Sequence, residues 1–300
     1  MPTSLQQPVT EWFAEHARDL PWREPGTTAW GVLVSEVMSQ QTPVARVAPV
    51  WRQWLDRWPT PAALAAASPG DVLRAWQRLG YPRRALRLRE CAAELAVRFA
   101  GQVPTSVEEL RSLPGVGPYT AAAVASFSHG RRAVVLDTNV RRVLERVVGG
   151  QALPAPHLGR AEEERAAGLL PAQPAAATRW NMGVMELGAL VCTARSPRCA
   201  QCPLAGHCRW RAAGYPSDPH AARRRTQPWT GTDRQVRGTI MARLGELAPG
   251  RDVDAATLLG PLAAAAADPQ QPRRALDSLL ADGLVAGTGD AEDPRYCLPA

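Results

Sequence analysis

The sequence predicts an all-α protein. Two observations carry that reading: apolar residues recur at spacings of three and four over successive segments, and a Pro-Gly hairpin at Pro114 to Gly117 joins two of them. The 300 residues are 45% hydrophobic, enough for a large core and for two or three domains. A formal charge of +7 and a pI near 9.6 favour a polyanionic partner, with a generally soluble basic protein as the plainer alternative. The chain has no lysine, so no side chain can form a lysine Schiff base. No segment approaches the ~20 apolar residues that span a bilayer, and MPTSLQQPVTEW lacks a basic-then-apolar leader, so the chain reads as cytoplasmic, without a membrane partner.

Val9 to Ala17 has helical spacing and ends at Leu20-Pro21-Trp22-Arg23, where Arg23 is either a surface charge or a group aimed into a cleft. Ala29 to Thr42 is a strongly apolar helix with one carboxylate, Glu36, in its middle. Burial penalises a charged carboxylate and raises its pKa, which suits a general acid; pairing with an arginine at the core's edge is the alternative. Gln40, Gln41 and Thr42 either cap that helix or hydrogen-bond base edges. Val44 to Trp58 places Trp51, Trp54 and Trp58 at core spacing. Asp71 to Leu79 and Arg83 to Phe99 are two amphipathic helices around Gly80-Tyr81-Pro82, with Arg83, Arg84, Arg87 and Arg89 forming a solvated face or a phosphate contact.

Thr105 and Glu108 make a capping-box pattern that starts a short helix ending at Leu113. Pro114, Gly115, Val116 and Gly117 then turn into an Ala-rich helix from Pro118, giving a helix-hairpin-helix. Such a hairpin exposes backbone N–H groups, and the following helix adds its positive dipole end, which suits a phosphate. Downstream, VVLD ends on Asp137, the start of a helix over Val140 to Val148, with Asn139 two residues on. Helices over Ala161 to Leu170 and Thr178 to Val191 lead to Cys192-x6-Cys199-x2-Cys202-x5-Cys208. Four thiolates at this spacing suit a cubane iron-sulfur cluster or a tetrahedral zinc, with His207 as a further zinc ligand. Residues 211–233, including Arg223-Arg224-Arg225, read as a linker. Beyond it, helices over Arg234 to Leu247, Ala255 to Leu262 and Pro272 to Ala281, and a terminal strand over Arg295 to Leu298, make a small separate domain, winged-helix-like or a plain helical cap.

SEVMSQQT, LPGVGPYTA, LDTNV and the four-cysteine loop, in that order, resemble the helix-hairpin-helix DNA glycosylases of the endonuclease III superfamily, and within it the adenine DNA glycosylases of the MutY type. The likeness covers residues 9–210. It implies a two-lobed all-helical core over 1–210, with a six-helix lobe at about 25–130 and an iron-sulfur lobe from 1–24 and 131–210, the DNA groove lying between them. It implies one 4Fe-4S cluster on Cys192, Cys199, Cys202 and Cys208, and a nucleoid-associated monomer acting on double-stranded DNA that carries a mispaired adenine.

By the same resemblance Glu36 protonates the base and Asp137 stabilises the sugar cation, while Asn139 and Tyr119 hold the water and the geometry. Arg23, Gln40, Gln41, Arg84, Gly115, Val116 and Gly117 contact the DNA or the base. Tyr119 stands where strand-cutting relatives have a lysine, which implies a monofunctional enzyme. An amine at Pro2, exposed by removal of Met1, is a minor alternative nucleophile. Ser39 replaces the family's usual leucine, and Met182 a frequent Gln or Glu; the tail is too short and too helical for the Nudix-like domain that reads 8-oxoguanine in many members. Two alternatives are an endonuclease III-like pyrimidine glycosylase and a non-catalytic, redox-sensing iron-sulfur DNA-binding protein.

Overall fold

The computed structural model describes residues 3–223, 229–290 and 292–300. Arg224 and Arg225 of the expected linker, and the expected Pro2 amine, lie outside them. The helices run in the order α1 (Thr3–His16), α2 (Ala29–Ser39), α3 (Val44–Arg57), α4 (Pro61–Ala65), α5 (Pro69–Trp76), α6 (Arg83–Arg98), α7 (Val107–Arg111), α8 (Pro118–His129), α9 (Thr138–Leu144), α10 (Arg160–Leu169), α11 (Pro174–Leu190), α12 (Arg209–Ala212), α13 (Asp233–Glu246), α14 (Ala255–Ala265) and α15 (Gln271–Ala281). Three short strands, β1 (Val253–Asp254), β2 (Ala286–Thr288) and β3 (Arg295–Cys297), pair antiparallel in the order β1-β3-β2. In the tail this small sheet accompanies the three helices α13, α14 and α15.

The helices start where local chemistry dictates. Thr60, Ser68, Thr232 and Asp254 cap α4, α5, α13 and α14 by accepting from a backbone N–H three residues on. The capping box before α7 sits one residue later than Thr105 and Glu108 suggest. Ser106 is the cap; its Oγ accepts from the Glu109 N–H at 3.2 Å and donates to the Glu109 carboxylate at 2.8 Å. α4 is missing from the sequence reading because five residues are too few to show a period.

Contacts divide the chain into two compact units. The first comprises Met1–Val32, Pro104–Ser112 and Val116–Arg225. Its core packs Leu5 and Val9 of α1 with Val140, Val143 and Leu144 of α9 and with Trp180, Val184 and Leu187 of α11. Gly183 permits the approach of α1, since a Cβ there would lie 2.8 Å from Val9 Cγ1. The second comprises Leu33–Val103, Leu113–Gly115 and Thr226–Ala300. Trp54 sits at its heart, its ring edge-on to Trp58 and Trp76 with centroids 4.7 and 5.5 Å away, so the tryptophan row is core.

These units differ from the lobes expected along the chain. α8 belongs with the first unit because it packs on α7 and α11, where Asn181 Nδ2 donates to Ser126 Oγ and to the Ala133 carbonyl. The tail belongs with the second unit, since α13 packs on α5 and on the turn over 77–79.

Candidate active site and metal centre

In the first unit the irregular residues 131–136 deliver Asp137, itself extended, to the start of α9, where it is the N-cap. Its Oδ1 accepts from the Val140 N–H at 2.6 Å and its Oδ2 from Asn139 Nδ2 at 2.8 Å. Burial pushes the Asp137 carboxyl above the ordinary carboxylate range, although the Val140 and Asn139 hydrogen bonds and the nearby Arg142 pull the other way. Two donors therefore hold this carboxylate in one orientation.

Asn139 is held in turn. Its Oδ1 accepts from Arg142 Nη2 at 2.7 Å, and the same guanidinium donates to the carbonyls of Gly188 at 2.8 Å and Cys192 at 2.7 Å. A Cβ at Gly188 would stand 2.7 Å from Asn139 Cβ, so only glycine lets α11 come this close. One turn on, the buried Arg146 donates to the carbonyls of Ala152, Thr193 and Ala194 and to Cys192 Sγ at 3.3 Å, and stacks on Trp210 at 4.4 Å. Arg142 and Arg146 thus tie α9 to the cysteine loop. Their spacing of four on one face of VRRVLERVV was the available signal, and the sequence reading passed over it.

Cys192, Cys199, Cys202 and Cys208 line one cavity together with Val143, Val147 and Val191, and none is in a disulfide. Among the described residues no three His, Cys, Asp or Glu side chains stand close enough to hold a single metal ion. Four thiolates spread around one apolar cavity, with an arginine against the first of them, fit a multi-atom iron-sulfur cluster rather than one zinc. His207 is exposed and does not line the cavity, which removes the mixed zinc site.

At the hairpin Gly115 has φ +75°, and a Cβ there would lie 3.0 Å from Arg87 Cβ. Val116 is buried and anchors the loop. Gly117 caps α8 with open space where a side chain would project, leaving its backbone accessible to an anion. Tyr119 is the second residue of α8 and is half-buried.

In the second unit Glu36 is 8% exposed on α2, whose residues from Trp30 to Met38 are all buried. Beyond its last turn Gln40 is half-buried, and Gln41 is exposed with φ +56°. Arg84, expected as a phosphate contact, has a different job. Its Nη1 donates to the carbonyls of Val37 at 2.9 Å and Gln40 at 2.5 Å, and its Nη2 to Thr42 Oγ1 and the Gly80 carbonyl, both at 3.0 Å. It is a C-terminal clamp on α2 through both terminal nitrogens, while its buried Nε has no hydrogen-bond partner among the described residues, and burial lowers its pKa to about 10. The neighbouring arginines are also occupied: Arg83 pairs with Asp282, Arg87 with Glu90, and Arg89 donates to the Ala67 carbonyl.

Arg23, expected to face the base, is likewise engaged within the protein, in the first unit. It donates to Glu186 Oε2 at 3.0 Å, and Arg18 holds the other carboxylate oxygen at 2.7 Å. Burial pushes the Glu186 carboxyl up, but the two arginines more than offset this and leave it below the usual range. This triad around the buried Glu186 was invisible in the sequence, because 163 residues separate Arg23 from Glu186.

Residues 34–165 match the family described as HhH-GPD superfamily base excision DNA repair protein, and residues 192–208 match the iron-sulfur binding domain of endonuclease III. The chain is 52% identical over 283 residues to a protein of Mycolicibacterium smegmatis named adenine DNA glycosylase, covering 94% of this chain and 92% of that one. A protein of the same name from Mycobacterium tuberculosis is 51% identical over 292 residues, covering 96% and 91%. Among solved structures, a thermostable thymine-DNA glycosylase superposes with a TM-score of 0.65 at 25% identity, covering 71% of this chain and 97% of that one.

Proposed function

The chain belongs to the HhH-GPD superfamily of base excision DNA repair proteins, and from that membership together with the geometry around Asp137 we infer how it works as an adenine DNA glycosylase with a 4Fe-4S cluster. The proposed substrate is double-stranded DNA with adenine opposite 8-oxoguanine or guanine, and the enzyme acts as a nucleoid-associated, cytoplasmic monomer. The observation that carries the reading is a carboxylate fixed by two donors, with a buried carboxyl, Glu36, elsewhere in the chain and no lysine to attack the sugar.

Adenine leaves poorly until it is protonated. Glu36 gives its proton to N7, the bond between C1′ and N9 breaks, and the electron pair leaves with the base. Asp137, ionised, stabilises the positive charge on the sugar or forms a transient ester at C1′. Water then adds its hydroxide to C1′ and returns its proton to Glu36, so both carboxyl groups end as they began. Asn139 holds Asp137, and Tyr119 helps to position the water. The Gly115-Val116-Gly117 hairpin takes a backbone phosphate, and the Gln40-Gln41 turn enters the duplex where the base departs, offsetting an unstacking cost of a few kcal/mol. Cys192, Cys199, Cys202 and Cys208 would hold the cluster, which would cross-link the loop whose Cys192, Thr193 and Ala194 carbonyls accept from Arg142 and Arg146.

The test is base release from duplexes carrying adenine opposite 8-oxoguanine, guanine, cytosine and thymine, alongside oxidised pyrimidines. Adenine release opposite the first two, with no strand nick until alkali is added, is the expected result. Release of an oxidised pyrimidine instead would establish the endonuclease III-like alternative, and a spontaneous nick would overturn the monofunctional reading.

A further inference from the structure

The proposed chemistry makes no use of the C-terminal module of α13, α14, α15 and the three strands. Over residues 229–300 carboxylates outnumber arginines, and the loop between β2 and β3 carries Asp290, Glu292 and Asp293. Such a balance does not favour a phosphate backbone, which turns attention to the module's contacts with protein. What the module does touch is the turn that follows α5. The guanidinium carbon of Arg234 on α13 lies 4.1 Å from the centre of the Tyr81 ring, and that of Arg84 lies 5.4 Å from the same ring. Asp282, after α15, accepts from Arg237 at 2.6 Å and pairs with Arg83 at 3.3 Å. At the far end of the chain the Pro299 carbonyl rests on Gly70, the second residue of α5, where a Cβ would stand 2.5 Å from that oxygen.

A second observation is independent of these contacts. Gln41, Gln77 and Tyr81 are non-glycine residues in the left-handed backbone region, with φ of 56°, 50° and 49°. Side chains rarely adopt that conformation, and it persists only where surroundings hold it. Tyr81 lies under Arg84, and Gln41 stands between Gln40 and Thr42, both of which accept from it; this guanidinium gathers the carbonyls of Leu79 and Gly80 on one side and those of Val37, Met38 and Gln40 on the other. Tyr81 is therefore the link between the module and the clamp. Freed of Arg234, its loop can relax and carry the Leu79 and Gly80 carbonyls away from Arg84, and the Gln40-Gln41 turn loses its restraint.

We propose that the C-terminal module is a brace for base extrusion: Arg234 on Tyr81, and Arg84 beyond it, hold the Gln40-Gln41 turn in the conformation that enters the duplex. Arg234 and Tyr81 are positioning residues. The proposal rests on the reading of the Gln40-Gln41 turn as the inserted element.

The experiment uses the full-length, cluster-loaded protein and a duplex with adenine opposite 8-oxoguanine and 2-aminopurine beside the adenine as an unstacking probe. Arg234→Ala and Tyr81→Ala are expected to lower both the 2-aminopurine fluorescence rise and single-turnover excision about tenfold, while duplex Kd stays within about twofold and the Tm and cluster absorbance are unchanged. Arg234→Lys keeps a cation over the ring and Tyr81→Phe keeps the ring, so both are expected to retain the signal. Wild-type extrusion in the exposed-site variant Arg234→Ala would overturn the brace. So would a parallel loss of Tm, affinity and excision that Lys and Phe fail to rescue. Gln41→Ala separates the two levels: defective extrusion there with a normal Arg234→Ala sinks the brace alone, whereas normal extrusion in Gln41→Ala removes the insertion reading and the brace with it.

Discussion

Asp137 caps α9 and is the group assigned to face the sugar cation, and the two jobs make separable demands. Asparagine caps a helix as well as aspartate does but carries no charge. Asp137→Asn is therefore expected to lower single-turnover base release by at least about a hundredfold, the scale of losing one charge-stabilising group, with no loss of Tm. Asp137→Ala is expected to lose the cap too, about 1 kcal/mol of stability by denaturant melting. The raised carboxyl pKa fixes the sign with pH. A native-state pKa above the unfolded value means that the protonated form is favoured by folding. That stability is fully present below the unfolded pKa and is lost as pH rises through the folded one. Base release needs the ionised form, so its acid limb should lie above the ordinary carboxylate range, and Tm in that window should fall with pH less steeply in Asp137→Asn than in the wild type. An acid limb at an ordinary carboxylate pKa would contradict the assignment.

On α9 and the short helical stretch that follows it, Arg142 and Arg146 each hold several carbonyl groups of α11 or the cysteine loop. Arg142→Met is expected to leave the Gly188 and Cys192 carbonyls and Asn139 Oδ1 without their donor, at a cost of about 1–3 kcal/mol for each buried acceptor left unpaired. Because Asn139 orients Asp137, the rate of base release should fall together with stability, which paired melting and single-turnover assays would show. Gly188→Ala is expected to act on the same contact by steric overlap, driving Asn139 away from α11. At α7 the displaced capping box makes a sharper comparison. Ser106→Ala should cost about 1 kcal/mol and Thr105→Ala almost nothing, measured by denaturant midpoint.

For the whole molecule the charge of +7 predicts duplex binding that weakens with salt, in proportion to the phosphates contacted. Arg84 and Arg89 hold backbone carbonyls, so Arg89→Ala should lower stability and leave the slope of log affinity against log salt unchanged. A slope reduced by about one would show that Arg89 reaches a phosphate after all. Among the described residues no helix is long and apolar enough to cross a membrane.

What the sequence determined by itself was everything that depends on residue type and near-neighbour spacing. The helical elements, the glycines of the hairpin, Asp137 at the head of a helix and the four thiolates all follow from interactions within a few residues, and so they are legible in a string of letters. The same locality explains the one-residue error at Thr105, where two overlapping capping patterns compete and only packing chooses. The partners of the arginines were decided by tertiary structure. Arg23 meets a carboxylate 163 residues away, Arg84 closes the end of a helix 44 residues earlier, and Arg142 reaches a carbonyl 50 residues later. A guanidinium is equally suited to a phosphate, a carboxylate or a bare carbonyl, so its chemistry does not name its partner. Only the fold, by bringing one of these within reach and removing water, makes the choice.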